Sequence, residues 1–383
     1  MVLSGNRFAR MLTVKGPGRN LVLLAVAAFV LLLAAIYAVA MREAAIRPVF
    51  TPRLVFEGLG ERLNEVTKIV SMTGRGAQGP ETITLTRNED GVWTVEEAAH
   101  YPADFARVKK TIVGMSELEA YEVRTARPEW HRHLGLVAPE EQGNATRVEL
   151  FDAAGARMAA LLVGKAQAAQ GAEAAEHGAS GKPGFIYVRR DGENQAWLAR
   201  GGWPMGESAQ DWFNPELVEI DRERIQRAVL WAGTDDEVVM SRARAEARDF
   251  QLDNPPKGRV SRGAPIINVS ATAIIHLAFE EVMPAARLDF PKTSPQVIYE
   301  TFDGLRVRIR MAGAGGGLWA AIHAETDPTL APEGTDLAGV EAEAAAINKR
   351  TQGWVYKLPQ AVGGQMSQTM ELLTREATGA AVN

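Results

Sequence analysis

The chain of 383 residues contains no cysteine. That absence removes disulfides, thiolate nucleophiles and cysteine-ligated metals together. Histidine is scarce, with six residues, and no helical His-Glu-x-x-His pattern or paired-cysteine motif supplies a zinc ligand set. No Gly-x-x-x-x-Gly-Lys-Ser/Thr loop is present to cradle a nucleotide's phosphates, and neither Gly-x-Ser-x-Gly nor Ser-x-x-Lys offers an activated serine. A large excess of one charge is lacking too. The 42 Lys and Arg stand against 47 Asp and Glu, a formal balance of −5. Beyond the N-terminus the two signs interleave, as in Asp221-Arg222-Glu223-Arg224, so no basic stripe supports nucleic-acid binding.

What is present is a folded composition, with 46% hydrophobic and 23% charged residues. It opens on a basic, acid-free leader carrying Arg7, Arg10, Lys15 and Arg19, followed by an apolar run from Leu21 to Ala40. Twenty helical residues rise about 30 Å, the thickness of a bilayer's hydrocarbon core. The run predicts one transmembrane helix over 21–40 embedded in a lipid bilayer. The basic leader over 1–20 stays cytoplasmic and the main body is periplasmic, in a bacterial inner membrane. Ala38-Val39-Ala40 also fits a signal-peptidase site, so cleavage after Ala40 is the rival reading. The run exceeds the roughly 7–15 residues of a signal core, which favours the anchor.

Beyond the run, short β-rich segments and amphipathic segments recur in one order. Val66–Met72, Thr82–Arg87 and Val92–Val95 read as strands, Asp104–Glu119 as a helix, and Thr146–Phe151 and Met158–Gly164 as strands. The later series is Ile225–Trp231, Glu237–Arg242, a helix at Ala271–Phe279, Gln296–Thr301, Arg306–Met311 and Leu318–His323. Apolar residues alternate with charged ones, Val307 and Ile309 against Arg306, Arg308 and Arg310, which is the pattern of a half-buried antiparallel sheet. The expected fold is α+β: two similar strand–strand–helix–strand–strand halves with antiparallel sheets, preceded by the transmembrane helix. The halves are placed at 41–213, with a long mobile loop at 166–184, and at 214–360. A C-terminal helix and tail occupy 361–383.

Few side chains suggest chemistry. Glu129, His131 and His133 form the one histidine cluster, but no third and fourth ligand accompany them, so no metal is expected. Gly313–Gly317 lies between two strands rather than between a strand and a helix, which favours a hairpin loop over a phosphate cradle. Glu280-Glu281 and Asp235-Asp236 read as turn residues. Of eight tryptophans, Trp197, Trp203 and Trp212 fall in one short Gly-rich region. They form either an interaction surface for a partner or sugar, or the filling of a seam between the halves.

Trp93-Thr94-Val95, Tyr101-Pro102-Ala103-Asp104 and Leu134-Gly135-Leu136 follow one another at family-like spacing. So do Leu162-Val163-Gly164-Lys165, Asp211-Trp212, Phe302-Asp303-Gly304-Leu305 and Gly353-Trp354-Val355-Tyr356. In this order they resemble a bacterial family known as domain of unknown function 4340, from about Leu54 to Leu373. The resemblance implies a single N-terminal span and a role similar to auxiliary components of uncharacterised ABC transport systems, including those of gliding motility. It carries no catalytic residue. The expectation is therefore a non-enzymatic, cofactor-free accessory or scaffold of a membrane assembly, with a membrane-protein partner such as an ABC permease. The alternative is a periplasmic module holding a small molecule, glycan or lipid between the halves at the tryptophans.

Overall fold

A computed structural model of the chain describes residues 17–46, 52–167, 184–203, 205–291 and 293–377. The leader's first 16 residues, most of the 166–184 loop and the last six residues lie outside them. Helix α1, Pro17–Ile46, contains the whole apolar run, with side chains described for residues 24–38. That described stretch is shorter than the roughly 20 residues a membrane span needs, and among the described residues no helix is long and apolar enough to cross a membrane.

The body is α+β, with every paired strand antiparallel. The first sheet is built from β1 Arg53–Leu54, β2 Lys68–Gly74, β3 Pro80–Arg87, β4 Trp93–Val95 and β5 Tyr101–Pro102. Helices α2 (Phe105–Ser116) and α3 (Pro128–Leu134) flank β6 Glu119–Val123. The sheet is completed by β7 Thr146–Phe151, β8 Arg157–Gln167, β9 Phe185–Arg190 and β10 Ala196–Arg200. Its order is β1-β6-β10-β9-β8-β7-β2-β3-β4-β5.

The chain then passes through β11 Glu216–Glu219, β12 Ile225–Leu230, β13 Val238–Ser241, β14 Gln251–Leu252 and β15 Arg259–Ser261. After α4 (Ala264–Ala271) come β16 His276–Ala278, β17 Glu281–Pro284, β18 Gln296–Thr301, β19 Leu305–Ala314 and β20 Gly317–Thr326. Helix α5 (Ala338–Thr351), β21 Trp354–Lys357, α6 (Gln360–Met366), α7 (Met370–Leu373) and β22 Thr374–Glu376 finish it. The second large sheet has the order β14-β13-β12-β18-β19-β20-β21-β17, while β11 pairs β16 and β15 pairs β22.

Local sequence explains most elements. Asp104 caps α2 by accepting the Ala106 N–H at 2.9 Å. The helix then buries Val108, Ile112 and Met115 at three- and four-residue spacing. Gly315 and Gly316, with φ of 57° and 76°, make the tight turn joining β19 to β20, because a two-residue type I′ hairpin needs positive φ at both positions. Two expectations shift. The second helix stands at Ala264–Ala271 rather than 271–279: Pro265 starts it, and β-branched Thr272 and Ile274 leave it, freeing His276–Ala278 to pair with β11. The closing helix is broken into α6 and α7, and residues 374–376 form a strand on β15.

One contiguous core runs through both sheets, from Val55 to Leu373. Its centre is an aromatic cluster around Tyr101 on β5. The ring stands edge-on to Phe213 and Trp354 (both 5.0 Å), Phe279 (5.8 Å) and Tyr356 (6.2 Å). The Tyr101 and Tyr356 hydroxyls face each other, and burial pushes both phenols above their ordinary range. Tyr356 donates to the Arg350 carbonyl at 2.9 Å. Beside this, the Asp104 N–H donates to the Trp212 carbonyl at 2.7 Å.

The second sheet's polar face carries a ladder of ion pairs. Glu300, buried, lies between Arg227 (3.2 Å) and Arg306 (2.8 Å), and Glu325 receives Arg308 at 2.7 Å. Burial alone would raise Glu325 and Asp303. The Arg308 and Arg306 guanidinium groups hold Glu325 low, and the Thr301 hydroxyl with Arg224 hold Asp303 low. Hydrogen bonds from Thr329, then Arg306, lower Asp327.

Two outcomes follow from these contacts. Tyr101→Ala is expected to lower unfolding free energy by about 3–5 kcal/mol, and Tyr101→Phe by only about 0.5–1.5 kcal/mol, as read by urea denaturation. Depressed carboxylates bind protons more readily when unfolded. The stability they add is therefore present above the unfolded value and is lost as pH falls below about 4. A melting temperature unchanged from neutrality to pH 3 would contradict the ladder's contribution.

Candidate functional site

The three tryptophans do not form an exposed surface. Trp197 (6% exposed) lies on β10, Trp203 (7%) packs on α2, and Trp212 (1%) ends the turn 209–212. Each is held by a different neighbour. A Cβ on Gly114 would lie 3.0 Å from Trp203 Cβ, and one on Gly206 would lie 2.5 Å from Trp212 Nε1. Asp211 positions Trp212 by accepting the Glu207 and Ser208 N–H groups, each at 3.0 Å. Among the described residues the Trp203 and Trp212 indole N–H groups are buried without a hydrogen-bond partner. Trp203 does line a groove of about 380 Å³ with Lys109, Lys110, Val113 and Gly202.

The histidine cluster is divided by its helix. His131 is buried and donates from Nε2 to the Asn194 carbonyl at 2.9 Å, while exposed His133 lies tilted against Trp130 with ring centres 5.5 Å apart. Exposed Glu129 lies on the same seven-residue helix. Glu280 and Asp235-Asp236 are exposed, and Glu281 is paired to Lys357 at 2.5 Å.

Folding assembles two clusters that no local motif announces. Glu216, Glu219 and His276 bring one ligand atom each to within 4.8 Å of one another. The β11–β16 pairing sets Glu219 opposite His276, and a register shift after Glu216 re-aims that side chain. The group is largely exposed, and two carboxylates with an imidazole form an open donor set for a divalent ion. Sixty residues separate the strands, so nothing in the linear order points to it.

The second cluster is a cleft of about 530 Å³ at the start of the body, between β1, the turn at 56–62, β8 and β9. Its charged lining is Arg53, Arg62 and Arg190 with Glu57, and Phe56 and Met158 give it an apolar side. Arg190 is built in. Its Nε donates to the Val55 carbonyl at 2.7 Å, Nη2 donates to the same oxygen, and its plane lies over Phe56 (5.6 Å) and Trp197 (5.9 Å). Arg62 binds Glu65 at 2.6 Å. Arg53 makes no ion pair or side-chain hydrogen bond among the described residues. Guanidinium groups on an apolar wall suit an anion with a hydrophobic part.

Residues 93–286 match the family model described as domain of unknown function DUF4340. The chain belongs to this family. No curated protein and no solved structure matches it. The features through which this DUF4340 chain resembles the family are spatially connected. Trp93-Thr94-Val95 pairs with Tyr101-Pro102 as β4–β5, Thr94 opposite Pro102 and Val95 opposite Tyr101. Trp354 and Tyr356 enclose Tyr101. Leu134-Gly135-Leu136 meets Leu162-Val163-Gly164-Lys165: a Cβ on Gly164 would collide with the Leu134 carbonyl oxygen, and one on Gly135 would lie 3.1 Å from Lys165 Cγ. None of these residues lines the arginine cleft.

Gly164→Ala is expected to destabilise the DUF4340 chain by about 1–3 kcal/mol, through overpacking against backbone. Gly60→Ala, which meets nothing within 4 Å, is expected to change stability by less than about 0.5 kcal/mol. Paired thermal melts check the contrast.

Proposed function

We propose that the chain is a membrane-anchored accessory or scaffold protein of a membrane assembly, with α1 crossing the inner membrane and the body outside the cytoplasm. The observation that carries the proposal is the state of α1. Its described apolar side chains, those of residues 24–38, are all exposed, Leu24 and Leu31 each 71%, and none of them joins the core. A helix apolar on every side is stable only when something apolar surrounds it. The twelve Leu, Ile, Val and Phe residues of 21–40 have no charge among them, and each favours insertion by about 0.3–0.6 kcal/mol at a membrane centre. The basic leader supports the orientation. Tethering raises the body's effective concentration toward a membrane partner, and the family resemblance suggests an ABC-type permease.

The body supports a scaffold through repetition. The run β6-β10-β9-β8-β7-β2-β3-β4 in the first sheet has its counterpart in β17-β21-β20-β19-β18-β12-β13-β14 in the second. We read the halves as copies of one unit, docked through Tyr101. A second reading, a ligand module using tryptophan, rests on the groove at Trp203, whose lysines and apolar wall suit an acidic amphiphile.

The expected result is that the full chain stays in the membrane pellet through alkaline carbonate and leaves it only in detergent. A C-terminal reporter enzyme active only outside the cytoplasm should be active. Detergent purification at native expression should recover an integral membrane protein in fixed ratio. Release by carbonate would refute the anchor, and purification without a membrane partner would refute the accessory role.

A further inference from the structure

The arginine cleft lies where the body begins, and its position is as informative as its charge. Arg53 is the seventh residue after Ile46, the last of α1. Seven residues span at most about 25 Å even when fully extended, so the cleft cannot stand far from that end of the helix. Three guanidinium groups line it with one carboxylate, Glu57, while two of them also meet a carboxylate outside the lining, Arg190 with Glu193 at 3.4 Å and Arg62 with Glu65 at 2.6 Å. They differ in readiness. Arg190 is already immobilised by the Val55 carbonyl and by Phe56 and Trp197, so little side-chain entropy remains to be lost when an anion binds. Arg53 is exposed and has no partner among the described residues. Arg62 is shared with Glu65 on the surface, an exposed pair of small worth that an incoming phosphate can replace.

We propose that this cleft binds the headgroup phosphate of an anionic phospholipid. Arg53 and Arg62 meet the phosphate beside the fixed Arg190, and Phe56 and Met158 meet the glycerol and first methylenes. The assignment rests on α1 being the anchor. It adds that the body is held against the membrane surface rather than merely tethered to it. The apolar side of the cleft favours an amphiphile over free phosphate, which has nothing to place there. Lipid binding fixes the body's height and tilt, so any partner surface is presented at a defined distance from the bilayer.

The test uses the full chain in a non-ionic detergent, titrated calorimetrically with dihexanoyl phosphatidylglycerol, dihexanoyl phosphatidylcholine and inorganic phosphate. Saturable binding of the glycerol lipid is expected, with weak or no binding of the other two. Arg53→Gln and Arg62→Gln should each weaken it about five-fold, the effect of one basic residue at an anionic surface, with melting temperature unchanged. Absence of glycerol-lipid binding, equal binding of the choline lipid, or indifference to both substitutions overturns the proposal. Inorganic phosphate binding as tightly, with the same sensitivity to substitution, makes this a free-phosphate site and overturns the lipid assignment. Carbonate extraction of the same preparation reads the anchor separately. Release with glycerol-lipid binding intact refutes the anchor and not the cleft, whereas retention without binding refutes the cleft and not the anchor.

Discussion

The two large sheets share one core, and at its centre a tyrosine is enclosed by aromatic rings from beyond its own sheet. Tyr101 sits on β5, the edge strand of the ten-stranded sheet. An edge strand exposes unpaired backbone groups and is a hazard unless covered. Here the Tyr101 ring at that edge is covered by Phe213 of the linker, Phe279 between β16 and β17, and Trp354 and Tyr356 of the second sheet. Edge-on rings at 5.0–6.2 Å contribute beyond their buried area. The hydroxyl, which would be costly to bury among rings alone, faces the polar end of Tyr356. The same seam orders the entry to α2, because Asp104 caps the helix with its side chain and donates its N–H to Trp212.

Elsewhere, buried charge makes loops specific. Arg242 is 4% exposed, and the hydrogen bonds its guanidinium makes among the described residues go to backbone carbonyls, with Glu223 and Glu246 acting on it only through space. It donates to the carbonyls of Ile225 (2.7 Å), Ala245 and Ala247 (both 3.0 Å), and to that of Arg222. Phe250 lies 4.9 Å from it. Backbone carbonyls satisfy a cation without a second desolvated charge, so the segment from Arg242 to Phe250 is wound around its own side chain. The ladder of Arg227, Glu300, Arg306, Glu325 and Arg308 does the corresponding work on the sheet's polar face. It fixes register across four strands, because a one-residue slip would place these charges in the core.

The fold class was legible because alternation and periodicity are local. Arg306, Arg308 and Arg310 against Val307 and Ile309 announce a half-buried strand, and Val108, Ile112 and Met115 announce an amphipathic helix, although Phe105 at its start is exposed. Legibility failed where local signals were balanced. Residues 271–279 are apolar enough for a helix, but pairing with β11 decided them. The tryptophans could be recognised as important but not located, since burial depends on what Gly114 and Gly206 allow to approach. The arginine cleft was not legible at all. Arg53 and Arg62 are joined to Arg190 only by the closure of the sheet across more than a hundred residues.

The separation of signature from cleft has a consequence for reading the family. Every quoted resemblance in the first half resolves into architecture: β4 against β5, Gly135 against Lys165, Gly164 against Leu134. Backbone-on-backbone approaches of this kind tolerate no side chain, and an enclosed tyrosine tolerates little change of volume. Such positions therefore report the frame, whatever the frame carries. The two regions for which a role is proposed, α1 and the arginine cleft, lie before residue 93, outside the matched segment 93–286, apart from Met158 and Arg190, which close the cleft from the sheet side. A frame fixed by packing, with a charged recess and the apolar helix α1 at its N-terminal end, can be kept constant while the residues lining that recess change.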